Sequence, residues 1–356
     1  MRVFFLCDGT REFAPTRLRV LQYLPYLREH GFDCEVASIA GRWMTILHQR
    51  ELAGPALGWR LWAGAEKLLR PLSWARLARK AEGADVLLVQ RALGPVGLQA
   101  RCAAAAGRCL FDMDDGIHLP HPQLSLSPAR QRRRRRQVQA WLSLAQTVIV
   151  ASPYLAREWP EYPIQVLPTP VDCDRVRPAA KPRGAAVVIG WVGSPPNAAE
   201  LELIRLPWQR LRRRCPNLEL LLVGAGPRAL DSEPAERLAW SEAQELEALG
   251  RIDIGIMPLQ DQPWNRLKGG YKLLLYMAAG LPVVASPVGI NRELVRAGEN
   301  GLLAESEAGW EEALERLIGD PDLRARMGAR GRALVESEYS LAALAPRLAE
   351  LLERTS

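Results

Sequence analysis

The stretch Trp264-Asn265-Arg266-Leu267-Lys268-Gly269-Gly270-Tyr271-Lys272 concentrates the residue types that hold an anion. It follows an apolar run over 252–257 and opens a helical pattern that continues to Ala279. Gly269 and Gly270 leave backbone N–H groups open at a helix N-terminus, where the dipole favours negative charge. Arg266, Lys268 and Lys272 add full positive charge there, which is unfavourable at that end of a helix unless something negative joins it. The combination asks for a phosphate, with a solvated basic loop as the plainer alternative. A second candidate is Asp112-Met113-Asp114-Asp115, with His118 and His121 soon after. Taken alone, Asp-x-Asp suggests a divalent metal bridging a nucleotide sugar. The plainer reading has Asp112 capping a turn and His118 in a structural role. Gly224-Ala225-Gly226-Pro227 fits the loose dinucleotide pattern, but no clear acid closes the following strand, so a tight turn is the stronger reading.

These segments need a scaffold that turns strands into helices. Arg2–Cys7 is a short apolar run ending at Asp8-Gly9, and 16–28 then carries Leu18, Leu21, Leu24 and Leu27 at helical spacing. Further strand candidates are 34–39, 86–90, 109–111 and 147–151, with helical stretches between them. After Pro-rich sequence from Pro168 to Pro182 the rhythm restarts with strands expected at 186–192, 218–223, 252–257 and 282–285. This alternation predicts an α/β chain of two Rossmann-like doubly wound parallel-sheet domains facing a central cleft, 1–168 and 169–340. A final amphipathic helix in 341–356 could return to the first domain.

A length of 356 residues suits two domains, and 48% hydrophobic with 24% charged residues excludes wholesale disorder. Six scattered cysteines without a CxxC speak against a disulfide scaffold or a structural zinc and suit a reducing cytoplasm. No targeting segment is visible, and the uncharged run 273–291 is cut by Gly280, Pro282, Pro287 and Gly289, so no membrane span is expected. Residues 1–180 hold 25 basic and 16 acidic residues, whereas 181–356 hold 22 and 24. That asymmetry suggests an anionic partner for the first half. Two stretches localise it: 43–80, with Trp43, Trp59, Trp62 and Trp74 among Lys and Arg, and the run Arg132, Arg133, Arg134, Arg135, Arg136. Tryptophan interleaved with basic residues is the composition of an interfacial helix on anionic lipid, and Trp59, Trp62 and the five arginines are the expected membrane-facing residues. Nucleic acid ranks lower for the arginine run because no binding motif accompanies it, and a solvated helix face is the plain alternative.

Lys272-Leu-Leu-Leu-Tyr-Met-Ala-Ala-Gly280-Leu-Pro-Val-Val-Ala-Ser-Pro-Val-Gly289, followed by Asn300-Gly301-Leu302-Leu303, resembles glycosyltransferase family 4. Gly190-Trp-Val-Gly-Ser194, Leu221-Leu-Val-Gly-Ala-Gly-Pro227, Asp253-Ile-Gly-Ile-Met-Pro258 and Val166-Leu-Pro-Thr-Pro-Val-Asp172 are similar as well. Over the first 160 residues the likeness is fainter, with Pro15-Thr16-Arg17-Leu18-Arg19 and the Asp112 segment as matches. The resemblance implies a GT-B glycosyltransferase, acceptor domain first and nucleotide-sugar domain second, retaining and without metal or other cofactor. It further implies that Gly9, Arg17, Arg19, Gly193, Ser194, Asn197, Arg266, Lys268, Gly269, Gly270 and Lys272 serve donor and phosphate binding. Asp112 or Asp114 would position an acceptor hydroxyl, and His118 would contact the donor sugar. The expected acceptor is lipid-linked or a polysaccharide, in cell-surface glycan synthesis on the inner membrane face. Two features depart from the family. Its two glutamates, separated by seven residues, fall here on Leu267 and Leu275, and its Arg/Lys pair is replaced by Ser194-Pro195-Pro196-Asn197. The alternatives are a catalytically weak binding module and a metal-dependent transferase using Asp112 and Asp114.

Overall fold

A computed structural model describes residues 1–40, 73–123, 126–179, 186–227 and 229–354. The chain divides into two compact units, Met1–Pro170 with Leu344–Ser356, and Val171–Ala343.

In the first unit, strands β1 (Arg2–Cys7), β2 (Asp33–Ser38), β3 (Val86–Gln90), β4 (Arg108–Met113), β5 (Thr147–Val150) and β6 (Ile164–Val166) form one sheet in the order β2-β1-β3-β4-β5-β6. Every pairing is parallel. Helices cover both faces of such a sheet, so its central strands are continuous apolar runs, and Val3 to Cys7 are wholly buried. The helix expected over 16–28 is broken into Ala14–Arg19, a 3-10 turn Leu21–Tyr23 and Leu24–Glu29. Pro25 explains the break, since it lacks an N–H and its ring clashes with the carbonyl four residues back. Helix Pro128–Leu144 starts at Ser127, whose hydroxyl accepts the Arg130 N–H at 3.4 Å. Its buried side carries Gln137, Val138, Trp141 and Leu142, and the Trp141 indole donates to the Ala92 carbonyl at 2.8 Å. Trp74, expected with a membrane-facing segment, is instead 1% exposed and packs 6.4 Å from Trp141. Trp59 and Trp62 lie outside the described residues.

In the second unit, β7 (Val187–Val192), β8 (Leu218–Val223), β9 (Glu236–Leu238), β10 (Ile254–Met257), β11 (Val283–Ala285) and β12 (Gly301–Leu303) are ordered β12-β11-β10-β7-β8-β9, again all parallel. Ile189, Trp191, Leu220, Leu222, Ile254 and Ile256 belong to one core cluster beneath the helices. The last helix, Leu341–Glu353, contributes to the first unit from Leu344 onward, where the Arg108 guanidinium donates to the Leu351 carbonyl at 2.8 Å. All six cysteines are free. Among the described residues no helix is long and apolar enough to cross a membrane.

Candidate functional site

Strand order reverses between β10 and β7, and in open α/β sheets ligands bind outside the strand ends at such a reversal. β7 ends at Val192, whose N–H donates to the buried Tyr276 hydroxyl at 2.8 Å. The next residue, Gly193, lets Lys272 approach: its Nζ stands 4.0 Å from the Trp191 ring centre, and a Cβ on Gly193 would lie 2.6 Å from that Nζ. Lys268 Nζ donates to Asn197 Oδ1 at 3.0 Å, and Asn197 Nδ2 donates to Ser194 Oγ at 3.0 Å. Gly270 caps helix Tyr271–Ala278 at φ +72° without any side-chain cap. A Cβ there would meet Leu294 at 2.4 Å as well as the left-handed backbone, so glycine is required twice over. The structure thus gathers Gly193, Ser194, Asn197, Lys268, Gly270 and Lys272 at one sheet end, with half-buried Gly269 in the same turn.

Arg266 is set aside from that group. It is exposed and forms a two-point ion pair with Asp261, which holds that carboxyl below its usual range. Leu267 and Leu275 are 5% and 2% exposed, so the positions of the two family glutamates are filled by core residues. Glu200 went unnoticed in the sequence. It is buried, its Oε1 accepts from Asn265 Nδ2 at 2.8 Å, and its Oε2 accepts the Gln260 N–H at 2.7 Å. The carboxylate ties the 3-10 segment Pro195–Ile204 to the loop that leads into Gly270. Its signal was an acid between buried Ala198, Leu201 and Ile204.

In the first unit the expected site residues are engaged with one another. Arg19 and Asp112, expected as phosphate binder and acceptor-positioning group, form a buried pair with side chains 2% and 4% exposed. Arg19 Nε lies 3.0 and 2.9 Å from the two Asp112 oxygens, and Nη1 donates to the Leu167 carbonyl at 3.0 Å and to Thr169 Oγ1 at 3.1 Å. Burial works against the Arg19 charge, and Asp112 more than restores it. The two expected site residues are thus engaged with each other and with the Leu167–Thr169 segment. Arg17 is also buried and donates to the Arg11 carbonyl at 3.3 Å. The Gly9 carbonyl accepts from the Thr16 hydroxyl at 2.9 Å, and a Cβ on Gly9 would strike Phe13 at 2.8 Å, so that turn is filled by its own chain.

Asp114 accepts from Arg91 at 2.6 Å, and Asp115 lies 3.5 Å from the same guanidinium. Arg91 was not anticipated. It follows β3 directly, at φ +55°, and stands 5.6 Å over the Phe13 ring. Burial opposes its charge, while Asp114, Asp115 and Asp8 outweigh that burial. Each aspartate of the Asp-x-Asp pair therefore has an arginine where a cation would stand. Among the described residues no three His, Cys, Asp or Glu are grouped to hold a metal ion.

His118 pairs with Glu158 at 3.2 Å and meets Trp159 edge-on at 4.4 Å. The five arginines do not share a face. An α-helix turns about 100° per residue, so consecutive side chains spread around it. Arg132, Arg133 and Arg136 line a depression of about 310 Å³ with Pro95 and the 48% exposed Val96. Arg134 is withdrawn toward Arg91, Asp8 and Asp115, and burial lowers its pKa. Arg135 borders His118 instead.

Residues 186–320 match the family model described as Glycosyl transferases group 1. A GDP-mannose-dependent monoacylated alpha-(1-6)-phosphatidylinositol monomannoside mannosyltransferase of Corynebacterium glutamicum is 31% identical over 173 residues, 44% of each chain. The GDP-mannose-dependent alpha-(1-6)-phosphatidylinositol monomannoside mannosyltransferase of Mycolicibacterium smegmatis is 31% identical over 219 residues, 54% of this chain and 57% of that one. The chain spans about half the length of the curated relatives it matches. Among solved structures, HepE of Anabaena in complex with UDP and glucose superposes over 100% of both chains with TM-score 0.70 at 18% identity. Sucrose-phosphate synthase from Thermosynechococcus elongatus reaches TM-score 0.73 at 17% identity, covering 99% of this chain and 98% of that one. At these identities the likeness is one of fold. The class is thereby defined as the GT-B fold of glycosyltransferases. Within it, residues 186–320 of the second unit are similar to the glycosyl transferases group 1 family.

Proposed function

We propose that the chain is a family 4-like glycosyltransferase that moves a sugar from a nucleoside diphosphate donor to a lipid-linked or polysaccharide acceptor, with retention and without metal. The observation that carries this is the convergence of Lys268, Lys272 and the uncapped amides at Gly270 beside Gly193. Breaking the anomeric carbon–oxygen bond leaves charge on the diphosphate. Two ammonium groups and a helix N-terminus aimed at that charge stabilise the transition state more than the ground state. The acceptor oxygen bonds to the anomeric carbon on the face from which the diphosphate departs, and the hydroxyl proton passes to the leaving oxygen. The mannosyltransferase relatives, named for phosphatidylinositol mannosides, support a lipid-linked acceptor.

The test is Lys272→Ala. Losing one charge-assisted contact costs about 1.5–3 kcal/mol, or roughly 10- to 150-fold in affinity for UDP or GDP by calorimetry. Unchanged affinity places the phosphates elsewhere, and transfer that stops in excess chelator and returns with manganese overturns the metal-free reading. The buried Leu267 and Leu275 favour a second reading, a nucleotide-binding relative without turnover. Product formation from donor and acceptor separates the two. We further place the protein at the cytoplasmic face of an anionic membrane, supported by the Arg132, Arg133, Arg136 and Val96 patch, which has a basic rim and one exposed apolar side chain.

A further inference from the structure

Asn197 and Glu200 lie three residues apart in the 3-10 segment Pro195–Ile204. Side chains at that spacing eclipse one another in a 3-10 helix, and both reach the loop that leads to Gly270. Neither piece holds its shape by itself. The 3-10 segment is long for a helix whose hydrogen bonds are poorly aligned, and it has no side-chain cap. The loop contains the single turn Pro263–Arg266, far below the length at which an isolated helix persists. Glu200 joins the two. Its Oε2 accepts the Gln260 N–H at 2.7 Å and its Oε1 accepts Asn265 Nδ2 at 2.8 Å, while the same Nδ2 donates to the Gln260 carbonyl at 2.9 Å. The Asn265 carbonyl accepts the Lys268 N–H at 3.3 Å, and Lys268 Nζ returns to Asn197 Oδ1 at 3.0 Å. These contacts close a ring that runs from Glu200 through Asn265, Lys268 and Asn197 and back along the 3-10 segment. Among the described residues no lysine or arginine pairs with Glu200, although it is only 4% exposed. A buried acid held by neutral donors is a costly way to stabilise a fold, and an apolar side chain fills such a place at lower cost. What the carboxylate adds is direction, two acceptor oxygens that fix two N–H donors of one loop.

We infer that Glu200 is a positioning residue for the donor site: it holds the loop so that the Lys268 ammonium rests at Asn197 before a diphosphate arrives. Lysine carries its charge on a flexible four-carbon stem, and an ammonium already in place loses less freedom when an anion binds. The inference rests on the glycosyltransferase reading, since the diphosphate is the ligand served. Glu200 acts through Lys268 and touches no substrate itself.

The chain has five lysines, so NMR of the full chain with isotope-labelled lysine resolves each side chain. Lys268→Arg assigns the Lys268 ε-methylene, whose two protons are separate in the parent because the side chain is fixed. Lys272, with Nζ 4.0 Å from the Trp191 ring centre and marked by its ring current, is the control. Glu200→Gln keeps the shape of the side chain but sets an NH2 against one of two N–H donors, so one contact is lost. Asn265→Ala cuts the same ring from the other side. In either variant the Lys268 ε protons merge while the Lys272 signal stays. UDP or GDP then binds about three- to tenfold more weakly by calorimetry, the value of ordering one long side chain. Merged Lys268 protons in the parent, or separate ones in the variants, overturn the inference. Loss of the Lys272 signal together with that of Lys268 also overturns it, because the role is then a general structural one. Unchanged nucleotide affinity with a freed Lys268 does the same. Absent UDP and GDP binding in the parent strikes the glycosyltransferase reading alone, and the Lys268 protons still decide whether Glu200 holds the loop.

Discussion

Asp112→Asn separates a structural aspartate from a catalytic one. The substitution keeps the shape of the side chain and removes its charge, leaving the Arg19 guanidinium in a site where it is 2% exposed. The Leu167 carbonyl at 3.0 Å and the Thr169 hydroxyl at 3.1 Å remain as acceptors, and neither carries the charge that balanced Arg19. Breaking a buried ion pair from one side costs about 3–5 kcal/mol. Set against a typical total of about 5–15 kcal/mol, that is a large share. For a unit of this size each kcal/mol moves the midpoint by about 2–4 °C, so the melting transition should fall by roughly 6–20 °C. Scanning calorimetry reads the fall, and UDP or GDP binding reports on the second unit in the same sample. Arg19→Met/Asp112→Leu should recover most of the loss, because apolar replacement of a whole buried pair is often neutral or better. The reasoning is refuted if Asp112→Asn melts within about 2 °C of the parent while transfer is abolished. The carboxylate would then act on substrate.

Three further outcomes follow from the geometry. Gly270→Ala meets Leu294 and a positive φ, so it should cost about 1–2 kcal/mol for the backbone alone and weaken UDP or GDP binding; an unchanged melt and affinity would show the turn to be uncritical. Burial holds the His118 imidazole below its ordinary 6.5, with Glu158 opposing and Arg135 and Arg134 acting with burial. Its depressed folded pKa means the unfolded chain binds the extra proton first, so this contribution is complete above pH 6.5 and is lost as pH falls through the folded value. Melting curves between about pH 7 and 5 should therefore fall less steeply in His118→Gln than in the parent, and equal slopes would contradict the assignment. Arg133→Gln/Arg136→Gln removes two charges at about 1 kcal/mol each near an anionic surface, so flotation with phosphatidylserine vesicles should weaken by roughly 30-fold at low salt. Unchanged flotation withdraws the membrane placement.

Three strands, β1, β3 and β8, were legible at their observed bounds. β1 and β3 are apolar runs with almost every residue buried, β8 is broken only at exposed Glu219, and glycine turns at Gly9 and Gly224 close β1 and β8. β6, β9 and β12 were not, because each has three residues, with exposed or half-buried positions that break any apolar run. The Lys268–Lys272 segment could be read because glycines, lysines and the helix start are adjacent in sequence. The Arg19–Asp112 pair could not, since its members stand 93 positions apart and meet only through the order of strands in the sheet. Glu200 and Asn265, 65 apart, were hidden for the same reason. The arginine run was legible as charge but not as surface. Its composition says nothing of which side chain the helix sends toward Arg91, toward His118 or toward Val96.

Those pairings give the two sheet reversals opposite character. Beyond β1 and β3 of the first unit, Asp8, Asp114 and Asp115 surround Arg91, with Arg134 nearby, so acids and bases are interleaved, three carboxylates with two guanidiniums. Beyond β7 and β10 of the second, the buried carboxylate Glu200 is committed to Gln260 and Asn265. The two positions where the family carries glutamate hold buried leucines, so neither sets a negative charge against Lys268 or Lys272. Under the proposed function, that omission would strengthen the field an incoming diphosphate meets. It also removes the acceptors that would read hydroxyls on the donor's ribose and sugar. Under the proposed function, a second unit built this way would recognise its donor chiefly through the phosphates, leaving discrimination among sugars to contacts other than those two glutamates.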